Sequence, residues 1–149
     1  MSAHRIQKLF QLSLTDWVLL AQCIYFLAIS KSKIKLLKFQ KVAPTLGKIN
    51  DEARSILTPT EYAQAEKIRL FIMRASRFVP WRSVCMDQAM TGVILLKKKR
   101  IPCTLYMGVR KKESGKGLDA HAWVICGEQI VLGGQKSKFY TETARFTNS

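Results

Sequence analysis

Residues 78–96 read FVPWRSVCMDQAMTGVILL, and this stretch decides the fold because it places a cysteine at the start of a helix. Pro80 ends the preceding segment, since the residue before a proline is pushed out of the helical region. Ser83 is a good N-cap, because its hydroxyl can accept a hydrogen bond from an amide of the first turn. Apolar residues then recur at helical spacing: Val84, Met86, Ala89, Met90, Val93 and Leu96. The sequence therefore predicts that Cys85 lies in the first turn of a helix.

The position of Cys85 makes it a candidate nucleophile. The free amides and the dipole of a helix N-terminus favour a thiolate. The same amides can hold an oxyanion, and the backbone of Cys85 is the candidate donor. The alternative is a buried free cysteine with a structural role only, which is common in proteins.

The candidate partner of this cysteine is His121, which lies in LDAHAWVIC, an apolar run typical of a strand. A thiol is a weak nucleophile at neutral pH until an imidazole takes its proton, and that imidazole can later protonate a leaving amine. The other histidine, His4, lies near the N-terminus, where chains are often poorly ordered. The residues alone leave open that Cys85 and His121 are unrelated.

The composition indicates one domain with its own core and no metal. A chain of 149 residues with 48% hydrophobic residues is long and apolar enough to bury a core without disulfides. Its four cysteines form no CxxC motif and no cluster with the histidines, so we expect no metal site and no cofactor. We interpret them as reduced thiols of a cytoplasmic protein, although an even number leaves disulfides open.

The charge predicts an anionic partner. The chain has 25 lysine and arginine residues against 10 acidic residues, a net charge of +15. The basic residues cluster at Lys31–Lys41, Lys97–Arg100 and Arg110–Lys116. Nucleic acid, anionic lipid and acidic peptide all fit such a charge. We do not expect nucleic acid, since the chain lacks a basic face interleaved with aromatic residues and lacks a recognition motif.

The N-terminal part carries an apolar run, WVLLAQCIYFLAI, at residues 17–29, which Thr15 and Asp16 precede as a cap. The run is shorter than the ~20 residues that span a bilayer. We expect a buried helix first, and second a helix that docks on a membrane or on a partner subunit. The predicted localisation is cytoplasmic, with membrane association as an option.

The remaining patterns predict an α+β domain, with N-terminal helices followed by a small antiparallel sheet. Thr58, Pro59 and Glu61 form a capping box at the start of a helix, and a short helix is an option at residues 48–57. Strands are predicted at residues 103–109, 120–126, 129–134 and 139–146, with a hairpin turn at Gly127-Glu128.

Taken together, PWRSVCMDQAMTGVILLKKKRIPCTLYMGVRK, GLDAHAWVICGEQIVLGG and FYTETARF resemble the leader peptidase of lasso-peptide biosynthesis. This is the transglutaminase-like maturation protein of the microcin-type pathway. The similarity covers about residues 75–146 and depends on the order of W-R-S-x-C, R-I-P, G-V-R-K and A-H-A-W-V. By position, Cys85 matches the family's nucleophile and His121 its base.

The resemblance implies a transglutaminase- or papain-like cysteine peptidase core over residues 58–149. An N-terminal helical region over residues 1–57 would precede it within one compact domain. The implied activity is that of a thiol protease that cleaves the leader from a ribosomally made precursor peptide during antibiotic biosynthesis. A separate, ATP-using cyclase then takes the freed core.

The family's third catalytic residue has no clear match. The family expects Asp or Asn on the strand after the histidine, but pairing across the hairpin puts Gly133 or Gly134 opposite His121. Asp119 is our first candidate, because it lies on the same strand face as His121. A backbone carbonyl or Gln135 are the alternatives that could orient the ring.

The resemblance also predicts the partners. We expect a stand-alone peptidase that needs a separate leader-recognition protein, with the apolar helix and the basic surface as docking candidates. Two other functions stay open: a non-enzymatic basic binding module, and a pseudoenzyme that uses the fold as a scaffold.

Overall fold

The computed structural model describes residues 11–54 and 56–148. The described helices are α1 (Leu14–Leu36), α2 (Phe39–Leu46), α3 (Pro59–Ala75), α4 (Cys85–Lys98) and α5 (Gly134–Ser137). The strands are β1 (Lys48–Ile49), β2 (Cys103–Lys111), β3 (Leu118–Cys126), β4 (Gln129–Leu132) and β5 (Thr141–Asn148). The α+β prediction is confirmed.

The five strands form one antiparallel sheet in the order β1-β5-β2-β3-β4. The predicted hairpin at Gly127-Glu128 is present, since Cys126 pairs with Gln129 across it. The last strand begins two residues later than predicted, and it lies between β1 and β2. The predicted short helix at residues 48–57 is wrong, because the structure has the two-residue strand β1 there.

Helix α1 is longer than predicted at both ends. Its N-cap is Ser13, and Asp16 completes the capping box, so the predicted cap at Thr15 is wrong. The helix continues to Leu36, and the buried hydroxyl of Ser30 in its second half hydrogen-bonds Thr91 of α4 at 3.3 Å. By length and composition alone α1 could cross a membrane, and 22% of its most apolar window is buried.

Helix α3 begins as the sequence predicts. The Thr58 hydroxyl accepts from the Glu61 amide at 3.2 Å, and the Glu61 carboxylate accepts from the Thr58 amide at 2.7 Å. Pro59 occupies the first turn, where its missing amide costs no hydrogen bond. An ion pair of 2.6 Å between Lys67 and Asp16 joins α3 to the start of α1.

The core lies between these helices and one face of the sheet. Because side chains alternate along a strand, Ala122, Val124 and Cys126 of β3 point to the same face, and all three belong to the core cluster. Trp123 is 7% exposed but is not part of that cluster, so it lies on the other face. His121 shares that other face with Trp123.

Candidate active site

Cys85 is the first residue of α4, as predicted, but the cap differs from the prediction. Val84 is the N-cap, and its amide donates to Oδ1 of Asp87 at 2.6 Å. Ser83 is not the cap; its hydroxyl accepts a weak bond from Gln88 at 3.4 Å. The wholly buried Asp87 carboxylate thus takes the capping role, and a negative charge there suits the helix dipole.

Cys85 differs from the three other cysteines by its exposure. Its side chain is half-buried, whereas Cys23, Cys103 and Cys126 are 0% exposed, and all four are free thiols. Burial raises the pKa of Cys23 to about 12. A hydrogen bond with Cys103, together with burial, raises the pKa of Cys126. Cys23 and Cys126 are therefore protonated and shielded at neutral pH, and a solution reagent meets Cys85 first.

His121 is held by the backbone of the next strand. Its Nε2 lies 2.7 Å from the carbonyl oxygen of Gly133. A carbonyl can only accept, so Nε2 carries a proton and donates it. In the neutral ring this leaves Nδ1 with a free lone pair, which is the form a general base needs.

Gly133 can hold this position because it has no side chain. Its φ is +72°, and a Cβ there would lie 2.4 Å from the carbonyl oxygen of Ala122. The carbonyl of Gly133 thus accepts the hydrogen bond of the His121 ring. This agrees with the backbone-carbonyl alternative, but the register differs from the predicted pairing, because a bulge pairs Val124 with Leu132 and brings Gly133 against Trp123.

An aromatic row fixes the ring from both sides. His121 lies 6.0 Å from Trp123 and 5.0 Å from Tyr140, measured between ring centroids. The row continues through Tyr106, and a guanidinium covers each end. Its members in order are Arg145, Tyr106, Trp123, His121, Tyr140 and Arg110. The imidazole plane is therefore set by packing as well as by the Gly133 hydrogen bond.

Asp119 pairs with another residue. Its carboxylate lies 3.5 Å from the guanidinium of Arg110, its cross-strand neighbour. The pair is partly exposed, so it contributes little to stability. Its role as a third catalytic residue stays a prediction, since the hydrogen bond that the structure gives His121 goes to Gly133.

The cysteine and the histidine come from different faces of the sheet: α4 packs on the core face, whereas His121 shares the opposite face with Trp123. Met86, next to Cys85, lines one cavity with Met107 of β2. Met107 pairs across the strands with Ala122, the neighbour of His121. Within residues 11–54 and 56–148, no hydrogen bond joins the Cys85 sulfur to the imidazole, which turns to the Trp123 face.

The described part of the chain has no group of three or more histidine, cysteine and acidic side chains that could hold a metal ion.

A family model described as the transglutaminase-like superfamily matches residues 34–145, which is more than half of the chain. This chain belongs to the transglutaminase-like superfamily. No curated protein and no solved structure matches it significantly. The match begins within α1, before the predicted core boundary at residue 58, and that boundary stays a prediction.

Of three further contacts of His121 in this transglutaminase-like protein, the sequence contains a signal for one. The pairing of Trp123 with His121 follows from their spacing of two on a strand. Tyr140 gave no signal, because its segment reaches His121 only through tertiary folding. The sequence also could not show which backbone carbonyl hydrogen-bonds the His121 ring, since every residue carries a carbonyl.

Proposed function

We propose that this transglutaminase-like protein is a cysteine peptidase that removes the leader from a ribosomally made lasso-peptide precursor. Cys85 would be the nucleophile and His121 the general acid and base. The observation that carries the proposal is the position of Cys85: it heads α4, and it is half-buried while the other three thiols are fully buried. The motif order around Cys85 and His121 supports the lasso-peptide assignment.

The proposed reaction uses the free Nδ1 of His121. This nitrogen takes the thiol proton, and the thiolate of Cys85 attacks the carbonyl carbon of the scissile peptide. The amide of Cys85, one of the first-turn amides without a partner inside the helix, holds the oxyanion. The imidazolium then gives its proton to the departing core amine, which leaves a thioester between the leader and Cys85.

Water completes the cycle. His121 takes a proton from a water molecule that attacks the thioester, and the leader leaves with a new carboxylate while the thiol is restored. Gly133 and the aromatic row keep the ring oriented through both steps. The reaction requires the Cys85 sulfur and the imidazole to meet, and in this structure the ring lies on the Trp123 face of the sheet.

The direct experiment uses a synthetic lasso-peptide precursor that carries its leader. Purified protein, precursor and the separate recognition protein are mixed, and the peptides are weighed by mass spectrometry. We expect a leader fragment and a core fragment whose masses sum to the precursor plus one water. Intact precursor after prolonged incubation would count against the peptidase.

We also propose that α1 docks the leader-recognition protein through its outer face. Leu20, Cys23 and Leu27 bind α1 to the core, but an apolar stripe on the other side is exposed. Its members are Leu14, Trp17, Val18, Ile24 and Tyr25, with exposed fractions between 37% and 82%. The lysines that follow from Lys31 suit an acidic precursor or a cyclase complex near the same surface.

Substituting the stripe should weaken this docking. We expect Tyr25→Ser, which removes a ring that is 60% exposed, to weaken capture of the recognition protein at least about tenfold. Phe139→Ser is the matched control, since that ring is 58% exposed but lies before β5. The measurement is a binding titration of both variants. Equal affinity for both would refute the assignment, and a loss seen only with anionic vesicles would reassign the stripe to membrane association.

A catalytically silent scaffold is the second candidate function. Two observations favour it: the His121 ring turns to the Trp123 face, and a carbonyl rather than a carboxylate orients it. Such a protein would bind leader and partners without cleaving the peptide.

A further inference from the structure

A cavity of about 140 Å³ lies beside the head of α4. Its lining is entirely apolar and comes from four elements: Ile34, Leu37, Phe39, Val42, Met86 and Met107. Met86 follows the candidate nucleophile directly in the chain, so the cavity borders the start of the helix that carries Cys85.

The entrance of this cavity is lined by large apolar side chains that are partly exposed to solvent. Ile34, Leu37 and Phe39 are 37%, 41% and 45% exposed. The floor is different: Val42 is 3% exposed, and Met107 packs against the core. An apolar hollow with an exposed apolar mouth and a buried floor gains free energy when an apolar group enters it.

Two of the lining residues can adapt their conformation to a side chain that enters the cavity. Met86 and Met107 have unbranched, polarisable side chains, which fill gaps of irregular shape. The segment that supplies four of the six lining residues is basic, since residues 31–50 contain 6 lysines and no acidic residue. A lysine or arginine side chain would be repelled there, and a free carboxylate would lose its hydration in the apolar hollow.

We infer that this cavity is a subsite that holds an apolar side chain of the peptide substrate, close to the bond that Cys85 attacks. The inference rests on the proposed peptidase function and adds its substrate preference. Leucine, isoleucine, methionine or phenylalanine would enter the cavity, and aspartate would be rejected.

The test compares two reagents that alkylate Cys85. Both are peptidyl vinyl sulfones that differ at one residue near the reactive carbon, which is leucine in one and aspartate in the other. The readout is the rate of mass gain of the intact protein. We expect the leucine reagent to label Cys85 at least about tenfold faster, which corresponds to burial of one such side chain.

Two variants at the mouth locate the preference. Leu37→Glu places a charge in the lining and should reduce the ratio of the two rates to near one. Leu36→Glu makes the same change at a neighbouring position, 77% exposed and outside the lining, and should keep the ratio. Circular dichroism checks that both variants fold.

Iodoacetamide separates this inference from the proposed function. This small reagent needs no subsite, so its rate reports only the reactivity of Cys85. If it labels Cys85 rapidly while the two peptide reagents react at equal rates, the subsite is refuted and the nucleophile stands. If iodoacetamide labels Cys85 slowly, the proposed function fails. Loss of the preference in Leu36→Glu as well would also overturn the subsite.

Discussion

Cys85→Ala should abolish precursor cleavage, with a loss of at least about 1,000-fold in rate. The reason is that Cys85 is the one described thiol that is not fully buried, and removing the nucleophile removes the covalent path. Stability should change by less than about 0.5 kcal/mol, because the side chain is small and half-buried. The measurements are cleavage followed by mass spectrometry and thermal unfolding of the same preparation.

Cys23→Ala is the matched control for this variant. Cys23 is 0% exposed and lies on the side of α1 that faces the core. Its replacement by alanine should lower the free energy of unfolding by roughly 1 kcal/mol and leave the cleavage rate unchanged. Cleavage by Cys85→Ala at the native rate would refute Cys85 as the nucleophile. Loss of cleavage in both variants would point to a general folding defect.

Gly133→Ala should impair both stability and cleavage. Alanine at a φ of +72° costs roughly 1–2 kcal/mol from the backbone alone. The new Cβ would also lie 2.4 Å from the Ala122 carbonyl, so the Gly133 segment must move. That movement shifts the carbonyl that orients His121, and we expect a further loss of about 100-fold in cleavage, since displacements near 1 Å can cost this much.

Gly115→Ala separates the two effects of that substitution. Gly115 has nearly the same backbone angle, a φ of +76°, but a Cβ there would meet nothing within 4 Å. This variant should lose only the backbone cost and keep native cleavage. Urea unfolding and cleavage rates are measured for both. Equal losses of stability, or native cleavage by a folded Gly133→Ala, would contradict the role of the Gly133 carbonyl.

Local sequence patterns predicted those elements in which backbone groups hydrogen-bond to residues only a few positions away. The Thr58–Glu61 capping box and the hairpin at Gly127-Glu128 each lie within a few residues, so the sequence contains the whole interaction. The start of α4 was misplaced by one residue for a related reason. Ser83 is a good cap, but the Asp87 carboxylate reaches back to the Val84 amide and takes the position.

Local sequence patterns could not predict the contacts between segments that are distant in the chain. The Ser30–Thr91 contact joins α1 to α4, and the place of β5 depends on its pairing with both β1 and β2. At the candidate site, the predicted pairing of His121 with Gly133 or Gly134 misses the bulge in the β3–β4 ladder, where Val124 pairs with Leu132. The choice of the Gly133 carbonyl over Asp119 as the group that holds the ring needed the coordinates, because Asp119 instead pairs with Arg110.

The pair of Cys85 and His121 is the centre of this account, and the pH dependence of Cys85 labelling by iodoacetamide tests it most directly. Native protein and His121→Gln are compared from about pH 5 to about pH 9, with labelling located by mass spectrometry. We predict that native Cys85 reacts rapidly near neutral pH and that His121→Gln reacts at least about tenfold more slowly there, recovering only in alkaline solution. Superimposable profiles for the two proteins would contradict the account and leave the scaffold as the better description.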